Sequence, residues 1–448
     1  MNVAARRGLS YHCASMRTVG LVAASVFLLA MNTRAASSAL DHKVAVYLAP
    51  IVKAGDFNGI VLIASGDKVV AQQTYGKADW DLNVALAPAS RFRIASITKT
   101  FTAAAVAILA ERGKLSFDDP LSKYVRDFPN GEKIKIRHLL LHQSGVANPD
   151  SAPCSSATLD DLVAELAKKP LWFEPGTSSG YSNGGYALLA RVVERASGEP
   201  WDVFLRENIL KPLALTETTI DRQSEVIPMR VRGFVPGPGA AGVQHARCEG
   251  GWAAIGSGAL LSSAGDLVKW SRAVRNETLF KRTALEYPYG WGVRKYFGKR
   301  AIEQSGILNG FASYLAVYPD DDLYVVVLSN VQSGELIEIG KGLAALAVGA
   351  EPPKLTPSPA MVASTLDERR RWVGRFKNDK IATVELSERE GALYLRWENS
   401  PDTVFIGSTG PSAAYDRQDS IAMELAPGGD SLRMRWSTGG WQEFKRLP

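Results

Sequence analysis

Apolar positions along the chain fall into two regimes. Between residues 40 and 350, short unbroken apolar runs alternate with stretches of helical period. Residues 59–64 form one such run. Ser65-Gly66-Asp67 turns it and residues 68–73 return, which predicts a β-hairpin. Residues 95–112 are helical in pattern, strongly apolar, and stop at Gly113. Residues 137–142 form a shorter helical piece ended by Gly145. A further helix opens at Thr158, where Asp161 completes a capping box, and reaches Lys168. Residues 185–196 are helical again, with Gly198 just past the end. Two apolar strands, 312–318 and 324–329, flank the acidic turn Asp320-Asp321-Asp322, and 336–348 reads as a helix. Hairpins mixed with helices argue for an α+β (mixed α/β) domain rather than a regular βαβ repeat.

The period changes after residue 350. Residues 351–365 hold Pro352, Pro353, Pro357 and Pro359 and read as a stiff linker. Within residues 366–448, strand-like runs at 383–386, 393–397, 421–425 and 432–436 are separated by turns such as Pro427-Gly428-Gly429-Asp430. Short strands at regular spacing predict a small antiparallel barrel or sandwich.

The first 39 residues differ from both regimes. Arg6, Arg7 and Arg17 precede an apolar run of residues 19–31, and Thr33, Ala35, Ala36 and Ser38 follow as small residues. This is the layout of a cleaved secretory signal, and the run is too short for the roughly 20 residues of a spanning helix. The expected division is therefore 1–39 signal peptide, 40–350 main domain, 351–365 linker and 366–448 barrel. An exported, periplasmic or secreted protein follows, with no membrane span left after cleavage. Residues 1–39 carry four arginines and no acid, so losing them takes the formal charge from +6 to +2. A nearly neutral surface excludes the basic footprint of a nucleic-acid binder. Composition, with 46% hydrophobic and 22% charged residues, excludes a disordered chain and a multispan membrane protein. Cys154 and Cys248 remain, and an oxidising compartment would allow one disulfide. The scattered histidines and the absence of C-x-x-C and H-E-x-x-H call for no metal, and nothing calls for a cofactor.

Three short motifs compete for the chemistry. Gly237-Pro238-Gly239-Ala240-Ala241-Gly242 matches G-x-G-x-x-G, but its prolines and the missing helix behind it make it a loop. Gly176-Thr177-Ser178-Ser179-Gly180 matches a nucleophile elbow, yet Pro175 opposes the buried strand an elbow needs. Ser96-Ile97-Thr98-Lys99 is S-x-x-K at the start of the long apolar helix, where residues three apart share a face. A hydroxyl beside an amine is an activated nucleophile. Tyr181-Ser182-Asn183, at the mouth of the next helix, adds a phenol and an amide.

Together these residues resemble the serine β-lactamase and penicillin-binding-protein family, in its class C β-lactamase, D-aminopeptidase and esterase branch. Phe92-Arg93-Ile94-Ala95-Ser96-Ile97-Thr98-Lys99 is similar to the nucleophile segment. Asp118-Asp119-Pro120-Leu121 and the His142-Gln143-Ser144-Gly145 turn are similar to the segments that follow it, as is Phe173-Glu174-Pro175-Gly176 leading to Tyr181. The resemblance spans roughly residues 44–348. It implies a β-lactamase-like domain with an antiparallel sheet flanked by helices, followed by the all-β barrel of the D-aminopeptidase-like and esterase-like members.

By this resemblance Ser96 is the nucleophile that forms an acyl-enzyme, Lys99 assists its deprotonation, and Tyr181 is the general base. Asn183 contacts the substrate amide. The family's third motif, K-T-G or H-x-G, falls on Gln304-Ser305-Gly306, with the N–H groups of Ser96 and Ile307 as the oxyanion hole. Gln304 departs from the family pattern by offering a neutral amide where a cation would stand, which weighs against β-lactam binding more than against ester or amide cleavage. The expected function is a serine hydrolase acting on esters, D-amino-acid peptides or amides, or β-lactams. The partner is thus a small-molecule or short-peptide substrate. The alternative is a penicillin-recognising binding or sensor protein with weak or no turnover.

Overall fold

A computed structural model describes residues 39–150, 157–222, 224–239, 241–246, 254–281, 289–308, 310–332, 335–398, 400, 403–437 and 439–448. The signal segment up to residue 38, Cys154 and Cys248 lie outside the described residues, and so does the expected disulfide. A helix over residues 39–53 (α1) leads into β1 (Gly59–Ser65) and β2 (Lys68–Tyr75). Seven short strands follow in the main domain: β3 (Lys77–Asp79), β4 (Val84–Ala85), β5 (Phe92–Arg93), β6 (Thr219–Ile220), β7 (Phe234–Pro236), β8 (Val243–His245) and β9 (Leu260–Ser262). The sheet is completed by β10 (Gly292–Tyr296), β11 (Lys299–Leu308), β12 (Phe311–Tyr318) and β13 (Leu323–Ser329).

These long strands form one antiparallel sheet in the order β10-β11-β12-β13-β1-β2. Strand β1 is buried from Gly59 to Ala64, which accounts for its unbroken apolar run. Ile60 and Leu62 face the larger core, built on α2 (Thr98–Glu111), α5 (Asn183–Ser197) and α7 (Ala264–Arg275). Between α2 and α5 lie α3 (Ile136–Leu140) and α4 (Leu159–Ala167), and α6 (Trp201–Leu205) follows α5. Val61 and Ile63 face the second core, where α1 and α8 (Leu336–Val348) pack through Val44, Leu48, Ile339 and Leu343. The sheet thus separates two apolar layers.

The predicted helix over 95–112 is divided. Ala95–Ile97 form a 3₁₀ turn and the α-helix starts at Thr98, so Ser96 sits just ahead of α2 rather than in its first turn. The G-x-G-x-x-G segment lies in sequence between β7 and β8, which pair antiparallel, and among the described residues no helix starts within it. Residues 351–365 lie along the surface: Pro353 O accepts from Tyr47 Oη at 2.9 Å, and Ser358 N–H donates to Asp56 at 2.8 Å. They end at α9 (Leu366–Trp372), opened by a Thr365–Glu368 capping box.

Eight antiparallel strands then close into a barrel, β14 (Gly374–Asn378), β15 (Ala382–Arg389), β16 (Ala392–Trp397), β17 (Thr403–Gly410), β18 (Ala413–Asp416), β19 (Ile421–Leu425), β20 (Ser431–Trp436) and β21 (Gln442–Arg446). Alternate residues fill it, as Ile421, Met423 and Leu425 do on β19. Arg417 holds the barrel to the main domain. Its Nη2 lies 2.7 Å from Asp56 Oδ1 and 2.7 Å from Ala54 O, and both side chains are largely buried. Removing one partner of such a pair leaves the other charge uncompensated. Arg417→Ala is expected to lower stability by about 3 kcal/mol. It should also speed proteolytic cleavage within residues 351–365, and unchanged melting and cleavage would contradict the clamp.

Candidate active site

Ser96 is held on a turn fixed from several sides. Ile94 N–H donates to Leu260 O at 3.0 Å, and Ile94 O accepts from Ser313 Oγ at 2.8 Å. Arg93, just before it, is buried and ion-paired with Asp221, which also pairs with Arg230. Ala95 has φ of 45°, a left-handed conformation costing an alanine about 1 kcal/mol, and these anchors hold it there.

Lys99, one turn on, is fully buried. Its Nζ donates to Ser96 Oγ at 3.0 Å, Asn183 Oδ1 at 2.8 Å and Ser257 O at 3.0 Å. It also lies over the rings of Tyr181 and Tyr186, 4.8 and 5.6 Å from their centroids. No carboxylate is among these partners. Burial is the cause that brings Lys99 down to about 7 from the ordinary ammonium range. Tyr181 Oη donates to Ser96 Oγ at 2.6 Å while its residue is about half exposed at 49%. Partial desolvation raises the phenol above its usual value, against the lowering effect of the Ser96 hydrogen bond.

Tyr181 and Asn183 owe their places to the entry of α5. Ser182 caps the helix by accepting from Gly185 N–H at 2.8 Å, and its own N–H donates to His142 Nδ1 at 3.1 Å. The His142 ring lies 4.6 Å from that of Tyr181, centroid to centroid. Burial, aided by the nearby Lys99 charge, lowers His142 to about 4. Its Nδ1 accepts, so the neutral ring carries its proton on Nε2. Asn148 completes the support, its Oδ1 accepting from Asn183 N–H at 2.6 Å. Gly145 makes the turn possible, because a Cβ there would fall 2.1 Å from Phe173 O.

The third motif runs along β11 above Ser96. A Cβ on Gly306 would lie 2.6 Å from Ser96 N, so glycine lets the strand lie directly on the Ser96 turn. Ile307 follows and is exposed. Gln304 Nε2 donates to Gly290 O at 2.8 Å, and its Oε1 accepts from Ser305 N–H at 3.1 Å. Ser305 stands opposite Tyr314 and, with Glu303, lines a cavity of about 650 Å³ between the sheet, α8 and the barrel. The structure therefore brings Ser96, Lys99, Tyr181, Asn183 and Gly306 to one point, with Gln304 turned toward Gly290. Sequence reasoning passed over Ser257 and Gly290, which act through their carbonyls, and Asn148, three residues past the Gly145 turn. Among the described residues no group of His, Cys, Asp or Glu could hold a metal ion.

Gly306→Val should displace the Ser96 turn. A shift of about 1 Å is expected to lower acylation of Ser96 roughly 100-fold. Ser305→Ala should cost far less. Equal effects of the two substitutions on a mass-measured acyl adduct would contradict the close packing.

A family model described as Beta-lactamase matches residues 44–349. The chain is 25% identical over 309 residues to the "Putative penicillin-binding protein PbpX" of Bacillus subtilis (strain 168), covering 65% of this chain and 74% of that one. It covers 59% of the length of the Staphylococcus aureus (strain COL) protein named flp, less than two thirds. In fold, it is similar to the octameric penicillin-binding protein homologue from Pyrococcus abyssi, with TM-score 0.62 and 22% identity over 90% of this chain and 99% of that chain. It is also similar to the D-amino acid amidase from Ochrobactrum anthropi SV3, with TM-score 0.61 and 21% identity over 69% of this chain and 96% of that one.

Proposed function

Because the chain belongs to the Beta-lactamase family, we propose that it is a serine hydrolase working through an acyl-enzyme on Ser96. The observation that carries this reading is the buried Lys99 Nζ, hydrogen-bonded to the Ser96 hydroxyl and, among the described residues, to no carboxylate. A neutral Lys99 has two N–H groups for two obligate acceptors, Asn183 Oδ1 and Ser257 O. Its lone pair then faces Ser96 Oγ. The amine takes the Ser96 proton as Oγ attacks the substrate carbonyl. Ser96 N–H, with that of Ile307, receives the negative charge developing on oxygen. Tyr181 Oη, on the solvent side of Ser96, gives its proton to the leaving group and regains one from Lys99. Water reverses the sequence and frees the acid. The opposite shifts of the two groups favour Lys99 over Tyr181 as first acceptor.

The substrates we propose are esters, D-amino-acid amides or short D-peptides, and β-lactams more weakly. The D-amino acid amidase likeness in fold supports the amide arm. The pattern of residues 1–39 supports export to the periplasm or beyond. A binding or sensor protein with weak turnover is the second reading. It draws on the neutral Gln304, and the assembled proton relay weighs against it.

Wild-type protein incubated with a p-nitrophenyl ester, a D-alanyl amide and a chromogenic cephalosporin should form an acyl adduct on Ser96, absent in Ser96→Ala. Failure with all three would overturn the hydrolase reading. The acylation rate should climb with pH as Lys99 loses its proton around 7 and level off above, since only the neutral amine accepts. Lys99→Arg, which stays charged, should lose about 10²–10⁴-fold and flatten that limb.

A further inference from the structure

Strand β11 is paired on both sides only for part of its length. Among the described residues, β10 accompanies it as far as Glu303, opposite Gly292, while β12 continues to Leu308. Past Glu303, β11 therefore offers an edge toward the Ser96 turn. The Ser305 N–H points to that edge, because it meets the Gln304 side chain, which itself reaches Gly290 on the β10 side. N–H groups two residues apart along a strand point the same way. The Ile307 N–H thus opens on the same edge.

A substrate whose scissile carbonyl accepts from Ile307 N–H, and which pairs antiparallel, runs against the direction of β11. Its leaving group then extends past residue 306 toward Ser305. That is the stretch Gln304 already occupies. One carboxamide satisfies the Ser305 N–H with its oxygen and the Gly290 carbonyl with its nitrogen. Gly290 in turn is seated on α2, where a Cβ would lie 2.9 Å from Lys99 O. The clasp is thus fixed at both ends, and it presents neither a charge nor a free backbone donor to the leaving group.

We propose that Gln304 is a specificity-determining clasp. It closes the leaving-group side of the β11 edge and narrows the substrates proposed above, favouring small uncharged leaving groups, as in alkyl esters and primary amides, over short D-peptides and β-lactams. Leaving groups that carry a carboxylate find the Ser305 N–H taken. This goes past the absence of a cation at this position: the glutamine fills the pairing site as well as leaving it neutral. The inference rests on the reading of Ser96 as the acylated nucleophile.

The test uses two esters of one acyl group, benzoylglycine, with ethanol or D-lactate as the leaving group. Gln304→Gly frees the Ser305 N–H for the lactate carboxylate. It should raise the lactate-to-ethyl ratio of kcat/KM by about tenfold or more, the worth of a hydrogen bond to a charged group. Gln304→Glu keeps the length but adds a negative charge, and should lower the ratio. The mass of the Ser96 adduct formed from the ethyl ester reports that each variant is folded. A ratio left unchanged by Gln304→Gly in a variant that still forms the adduct overturns the clasp. If the wild type turns over neither ester, the hydrolase reading is what fails. Binding then decides the clasp: benzoyl-D-alanine and its methyl ester are titrated into Ser96→Ala and Ser96→Ala/Gln304→Gly protein. A preference that moves toward the free acid on opening position 304 supports the clasp, and an unmoved one overturns it.

Discussion

Taking one ammonium out of water governs the arrangement of this site. Lys99 lies on a helix whose residues 98–109 are buried, between the rings of Tyr181 and Tyr186, and three neutral oxygens receive its protons. Neutral acceptors compensate a buried charge less than a carboxylate would, so the amine sheds its proton at about 7 instead of in the ordinary ammonium range. Every neighbouring device serves that state. Asn183 and the Ser257 carbonyl orient the nitrogen, and the neutral His142 adds no competing positive charge at ordinary pH.

The strained turn before α2 supplies the second half of the geometry. Ala95 leaves the right-handed helical region so that Ser96 Oγ meets Lys99 and Tyr181 while its backbone nitrogen lies against Gly306 of β11. Strain of this kind persists only where the surroundings over-determine it. Here the Ile94 backbone is bonded to both β9 and β12, and the preceding Arg93 is locked to Asp221. The sheet and the helical layer are therefore coupled at the Ser96 turn itself.

Much of this was legible from residue order, and the limits are physical. The Ser96–Lys99 pair is a local, three-residue relation, so spacing reveals it. Tyr181 and Asn183 flank a helix cap that is also local. The two-sided core showed in the unbroken apolar runs of β1, β12 and β13. By contrast, β10 and most of β11 are partly exposed and polar, so their place in the sheet carries little apolar pattern. The carbonyls of Ser257 and Gly290 contribute no side chain and are invisible to motif reading. The 3₁₀ turn at Ser96 was hidden for another reason: its residues suit a helix, and tertiary anchors override that preference. Helix α9 did carry a signature, Thr365 with Glu368, at the expected boundary of linker and barrel, ahead of the first strand-like run at 383–386.

An unpaired strand edge is a template for any extended chain, including a second copy of the same protein. The barrel avoids the hazard by closing on itself, β14 against β21. The main sheet stays open, its order ending at β10 and β2, and β11 adds a partial edge past Glu303. A side-chain amide that fills one backbone position shortens the exposed ladder without sealing it. The stretch of edge that remains beside Ile307 is short, which makes it a poor seed for a continuous intermolecular sheet.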